Sequence, residues 1–111
     1  MLIAEALHDM TRPVEVLRTL RGLLAEGGSL VVVDSKVADE FSAPAPLRDQ
    51  YGYGWSVLAC LPSAMGDPNT AATGTVMRSG TLRRYATEAG FTGVEILPIT
   101  TDYWRFYRLI P

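Results

Sequence analysis

"MLIAEALHDMTRPVEVLRTLRGLLAEGGSLVVVD", residues 1–34, decides the fold. Residues 1–7 are short and mostly apolar, the character of a strand covered on both faces. Thr11 stands where a helix N-cap belongs, and Pro13 falls in the first turn, where its missing N–H costs little. Val14, Leu17, Leu20 and Leu24, flanked by Val16 and Leu23, recur at helical spacing, with Arg18 and Arg21 on the wet side. Gly27 and Gly28 predict the helix end, because glycine enters the left-handed backbone region of a C-terminal cap. "SLVVVD", residues 29–34, then reads as a second buried strand ending in an acid. Strand, helix, Gly-Gly, strand is a βαβ crossover, which is nearly always right-handed.

Working outward, residues 35–46 form a polar connection holding Pro44 and Pro46. The aromatic-rich segment 47–61 predicts a helix in spite of Gly52 and Gly54, each costing about 1 kcal/mol relative to alanine. Residues 62–79 lack periodicity and predict a long loop, a length usually functional or disordered in a compact domain. A third helix spans 80–89 and ends at Gly90. "FTGVEILPI", 91–99, and "DYWRFYRLI", 102–110, predict an antiparallel strand pair. The order β-α-β-α-loop-α-β-β is an α/β layout whose sheet starts parallel and finishes with a reversed strand. Residues 1–111 make one domain, with no internal repeat.

Composition narrows the function classes. Twelve acidic residues against ten basic give a net charge of −2, so no basic surplus exists to condense on phosphates and no nucleic-acid partner is expected. No apolar run approaches the roughly 20 residues of a membrane helix, so no membrane partner is expected. One cysteine, Cys60, excludes an internal disulfide and makes a reducing cytoplasm the expected location.

The segments "HDM…P…VL", "LLAEGGSLVVVD", "CLPSAMG", "TGTVMR", "LRRYATEAGFTGVEILPI" and "WRFYRL", in that order, resemble the C-terminal half of a class I S-adenosylmethionine-dependent methyltransferase. More narrowly, they are similar to a bacterial group that carries a winged-helix domain ahead of that fold. The resemblance implies a partial Rossmann-like sheet of a seven-stranded type, order 3-2-1-4-5-7-6. This chain would supply the equivalents of strands 4, 5, 6 and 7, the last antiparallel, with flanking helices. It implies S-adenosylmethionine as cofactor, a small-molecule acceptor and preferred O-methylation. The family's glycine-rich loop after strand 1 and the acid ending strand 2 have no counterpart in residues 1–111. Gly27 and Gly28 do not substitute, since they close a helix instead of opening one. The chain is therefore expected to lack the cofactor-binding half and to be inactive alone. Its first strand is expected to be an open edge inviting the missing half or a second copy. The alternative is a non-catalytic α/β interaction module.

His8 follows the first strand, where open α/β sheets gather ligand-binding groups. Its imidazole, with an ordinary pKa of about 6.5, suits removal of a proton from an acceptor hydroxyl. His8 with Asp9 resembles the "H-D-W" of small-molecule O-methyltransferases, Met10 standing for the tryptophan. The competing reading is that His8 ends a strand and Asp9 helps cap a helix. By the same resemblance Ala4, Glu5 and Ala6 would lie beside the cofactor, although small residues also serve helix packing. A carboxylate such as Glu5 in an apolar run needs a partner. Tyr51, Tyr53 and Trp55 read as an acceptor pocket or as core. Cys60, 52 positions from the one histidine, reads as a small buried hydrophobe, and no metal site is expected. Residues 70–78 read as a lid or an inert loop. The alternation of basic and aromatic residues in "YWRFYRL", 103–109, reads as an ordinary sheet face.

Overall fold

The computed structural model describes all 111 residues. Strand β1 (Leu2–Ala4) leads through a single 3-10 turn (Leu7–Asp9) into helix α1 (Pro13–Gly22), and β2 (Leu30–Ser35) follows. Helix α2 (Leu47–Trp55) continues through a π-helical turn (Ser56–Cys60) into the short α3 (Leu61–Ala64). Helix α4 (Ser79–Glu88) precedes β3 (Gly93–Ile96) and β4 (Trp104–Ile110).

The sheet order is β1-β2-β4-β3. β1 and β2 are parallel, Ile3 opposite Val32, while β4 runs antiparallel between β2 and β3, Tyr107 opposite Val32 and Ile96. The predicted mixed α/β sheet, parallel at first and reversed at the end, is therefore present, and the final two strands pair as expected. β4 inserts between its partners because its alternate residues Tyr107 and Leu109 are fully buried beside Leu30 and Val32.

Helices α1 and α4 lie on one face of the sheet. Leu17 from α1 and Leu82, Tyr85 and Ala86 from α4 join Ile3, Leu30, Val32, Tyr107 and Leu109 in a single core. Burying side chains of this size contributes about 1.5–3 kcal/mol each. The opposite face, with Leu2, Val31, Val33 and Phe106, takes no part in that core, and Leu2 is 66% exposed.

Several boundaries differ from expectation. The first strand is three residues long instead of seven, because Glu5 turns the chain with φ at +47° and residues 7–9 coil into the 3-10 turn. Arg12, not Thr11, precedes α1, and no side chain caps it; the Thr11 carbonyl instead accepts from the Ala71 N–H at 2.8 Å. α1 stops at Gly22, five residues before the Gly-Gly pair, and Gly27 serves a separate tight turn with φ at +72°. Leu24 still reaches the core from outside the helix. Helical structure runs past residue 61 to Ala64, so the irregular stretch is shorter than predicted.

That stretch is pinned rather than loose. Met77 is buried, the Thr75 N–H donates to Ser56 Oγ at 2.9 Å, and Thr73 Oγ1 meets the Tyr85 hydroxyl at 2.8 Å. Gly74 is required here: its φ is +74°, and a Cβ would come within 2.9 Å of Ser56 Oγ. α2 is fastened to the same segment by Arg78, which donates to Asp49 Oδ2 at 2.9 Å and to the Tyr53 hydroxyl at 2.7 Å. Asp49 is buried, and its other oxygen accepts from the Ala38 N–H at 3.0 Å. Removing one partner of a buried ion pair leaves the other charge uncompensated. Arg78→Met is therefore expected to cost about 3–5 kcal/mol in chemical denaturation, and a loss of under about 1 kcal/mol would show the pair to be effectively solvated.

Candidate functional site

The 3-10 turn places His8 over the C-terminal end of β2, where Asp34 is the last inward-facing residue. His8 Nδ1 lies 2.8 Å from Asp34 Oδ1, and both side chains are buried. A carboxylate on Nδ1 fixes the tautomer with its proton there, leaving Nε2 as the free acceptor. Asp34 Oδ1 also receives the Ser35 N–H at 2.8 Å, whereas Oδ2 is buried with no hydrogen-bond partner. A buried carboxylate with one oxygen unpartnered favours positive charge beside it.

Burial is the largest single influence on His8 and lowers its pKa. The hydrogen bond and charge of Asp34, with the charges of Asp9 and Glu5, together outweigh it and raise the pKa above 6.5. Asp9, read from the sequence as a companion of His8, sits at the other nitrogen, 3.4 Å from Nε2. The orienting position on Nδ1 belongs instead to Asp34, which sequence reading did not single out. The signal was present as an acid closing an otherwise apolar strand.

His8 opens onto a cleft of about 360 Å³, also lined by Glu5, Ser35, Val37, Arg48, Tyr51, Gly52, Trp55, Cys60, Thr75, Tyr103 and Trp104. Such a volume is at the small end of the range of about 300–1,000 Å³ for ligand sites. Helical periodicity explains which α2 residues reach it. Arg48, Tyr51, Gly52 and Trp55, at i, i+3, i+4 and i+7, share one stripe. Asp49 and Tyr53, at i and i+4, share another that faces Arg78. The structure thus brings Tyr51 and Trp55 to the cleft, their rings 6.3 Å apart and edge to face, but not Tyr53, whose hydroxyl is committed to Arg78. Gly52 allows close approach, since a Cβ there would meet Val76 at 2.9 Å.

Glu5 faces the cleft, and its carboxylate accepts from Ser35 Oγ at 3.4 Å. Burial, then the nearby Asp34 charge, raise its pKa. Ala4 is exposed and Ala6 is half-buried against the core, and neither lines the cleft. Cys60 is not a buried hydrophobe: the π-helical turn sets it half-buried on the cleft wall. Its Sγ comes within 4.8 Å of ligand-type atoms of His8 and Asp9, a proximity that the sequence separation concealed. Burial raises the thiol pKa, and a hydrogen bond to Asp9 raises it further. The arginines of β4 are each paired, Arg105 with Asp39 at 2.8 Å and Arg108 with Glu95 at 2.5 Å.

A buried histidine whose folded pKa exceeds its unfolded value stabilises the fold fully below about pH 6.5. That contribution is lost as pH rises through the folded pKa. Imidazole nitrogen NMR is expected to show His8 titrating above 6.5 with the proton retained on Nδ1. Asp34→Asn is expected to lower that pKa and to flatten the pH dependence of the denaturation midpoint. An unchanged His8 titration in Asp34→Asn would remove Asp34 from this role.

No family model matches the chain, and no curated protein matches it in sequence. Solved structures do resemble it. An O-methyltransferase family protein from Burkholderia thailandensis superposes with a TM-score of 0.63 at 15% identity, over 98% of this chain and 29% of that one. A Nostoc punctiforme PCC 73102 protein described as a candidate O-methyltransferase superposes with a TM-score of 0.57 at 18% identity, over 97% of this chain and 30% of that one. This chain therefore spans under a third of the length of either structure. No helix in it is long and apolar enough to cross a membrane. Its mixed α/β architecture, an open four-stranded sheet with flanking helices, is similar to a methyltransferase C-terminal region.

Proposed function

We propose that this chain forms the acceptor-side part of an S-adenosylmethionine-dependent O-methyltransferase of the bacterial winged-helix group, with His8 as general base. The observation that carries the reading is the buried His8–Asp34 pair at 2.8 Å, with His8 lining an aromatic-walled cleft. S-adenosylmethionine supplies an electrophilic methyl group when bound. The residues present do not make a full cradle for it. No glycine here follows a strand and opens a helix, and the Glu5 carboxylate is turned toward Ser35. Ala4 and the Glu5–Ala6 backbone offer one flank of small residues at the open end of β1. The steps this chain performs are on the acceptor.

In the first of these, a hydroxyl held in the cleft gives its proton to Nε2 as its oxygen becomes the nucleophile. The imidazolium is stabilised by Asp34 at Nδ1, and Asp9 stands 3.4 Å from Nε2 to receive the new N–H. Tyr51 and Trp55 supply flat apolar walls that orient a ring. The required state is neutral His8, so transfer increases as pH rises through its elevated pKa.

The edge of β1 supports the same reading. Its odd-numbered residues bond to β2, as in Glu5 N–H to Val33 O at 2.9 Å and Val31 N–H to Met1 O at 3.0 Å. Leu2 and Ala4 accordingly direct their backbone groups outward, unpaired. We assign this edge, with the apolar face beside it, to a cofactor-binding half whose strand extends the sheet.

With that half supplied, His8→Gln is expected to lower methyl transfer by about 10²–10⁴-fold while leaving acceptor binding intact. Turnover equal to the parent protein would end the base assignment. Without that half, sedimentation is expected to show self-association. A clean monomer with slow amide exchange across residues 2–6 would contradict the open edge.

A further inference from the structure

The cleft contains one permanent cation, and it is unused. Arg48 makes no ion pair with any carboxylate, although the arginines near it, Arg78 and Arg105, are both paired. It is half-buried, and its guanidinium carbon sits 4.7 Å from the centre of the Tyr103 ring. Stacking on an aromatic face fixes the guanidinium plane while leaving its N–H edge free. Arg48 is on the same α2 stripe as Tyr51 and Trp55, so its position relative to the aromatic walls is set by a helix and not by a loop.

The other charges on the cleft do not neutralise it. Glu5 accepts from Ser35 and makes no ion pair with Arg48, and the Asp34 charge is shared with His8. A guanidinium removed from bulk water, with free donors in a fork, fits a planar carboxylate better than any neutral group. Resting on the reading of this cleft as an acceptor site, we propose that the acceptor is an aromatic hydroxy acid, its carboxylate held by Arg48, its ring between Tyr51, Trp55 and Tyr103, and its hydroxyl presented to His8. Arg48 is then the specificity-determining residue of the site and takes no part in the chemical step.

The two tryptophans of the chain, Trp55 and Trp104, both line this cleft, so intrinsic fluorescence reports its occupancy directly. The test titrates the 111-residue chain with 4-hydroxybenzoate and with 4-hydroxybenzamide, which is nearly isosteric and uncharged. The acid is expected to bind about tenfold more tightly, the worth of a charge-assisted contact. Arg48→Gln is expected to erase the preference by weakening acid binding alone, and Arg48→Lys to restore part of it. Circular dichroism and the affinity for the amide show that α2 is intact in each variant. Equal binding of the two probes, no binding of the acid, or a preference that survives Arg48→Gln overturns the proposal. His8→Gln is expected to keep the preference, so a failure of the base assignment leaves this result untouched, and a failure here leaves the base assignment standing.

Discussion

A carboxylate buried at the end of a central strand is the constraint around which the site is organised. Asp34 is 1% exposed, and one of its oxygens has no partner. Burying an isolated carboxylate is so costly that such a group is tolerated only with compensation or with its proton restored. Here the compensation is an imidazole on Nδ1 and a backbone N–H, both on one oxygen. Keeping His8 in place requires the chain to leave β1 early, turn through Glu5 in the left-handed region, and coil at residues 7–9. The short first strand and the strained Glu5 are thus consequences of bringing His8 back over β2, and strain of this kind clusters at functional sites.

The second organising feature is the division of α2 into two stripes. Asp49 and Tyr53 anchor the helix through Arg78, so the opposite stripe of Arg48, Tyr51, Gly52 and Trp55 is held in a fixed position over the cleft. The π-helical turn that follows shifts the register and directs Cys60 to the same wall. π-helical turns often mark functional positions because they re-aim side chains at the cost of regular hydrogen bonding. The buried ion pair stabilises the fold less than it specifies geometry: it decides which aromatics line the cleft.

The sheet was legible in the sequence because its signals are local. "SLVVVD" alternates burial as a strand must, the α1 stripe reaches the core at Leu17, and the aromatic-basic run at the C-terminus forms β4. The site was legible only in part. His8 could be singled out as the one histidine after a strand, but its partner Asp34 is 26 positions away and was visible only as the end of an apolar run. Cys60 reaches His8 and Asp9 through three intervening elements and a π-helical turn that composition does not announce. Tyr53 was grouped with Tyr51 and Trp55 by proximity in sequence, whereas a period of 3.6 residues sends it to Arg78. Even Arg48, with no local signal at all, acquires meaning only when Tyr103 arrives from the loop before β4.

Geometry also separates the cleft from the open edge of the sheet. The cleft draws His8, Arg48, Tyr51 and Trp55 from residues 5–104, and His8 is bonded to the buried Asp34 behind it. The sheet is open, since β1 has one neighbour and the face bearing Leu2, Val31, Val33 and Phe106 is outside the core. His8 and Asp34 are buried and bonded, whereas the aromatic walls Tyr51 and Trp55 remain exposed, as does Leu2 on the outer sheet face. The open edge is therefore a property of the sheet, while the His8–Asp34 pair is held entirely by contacts within this chain.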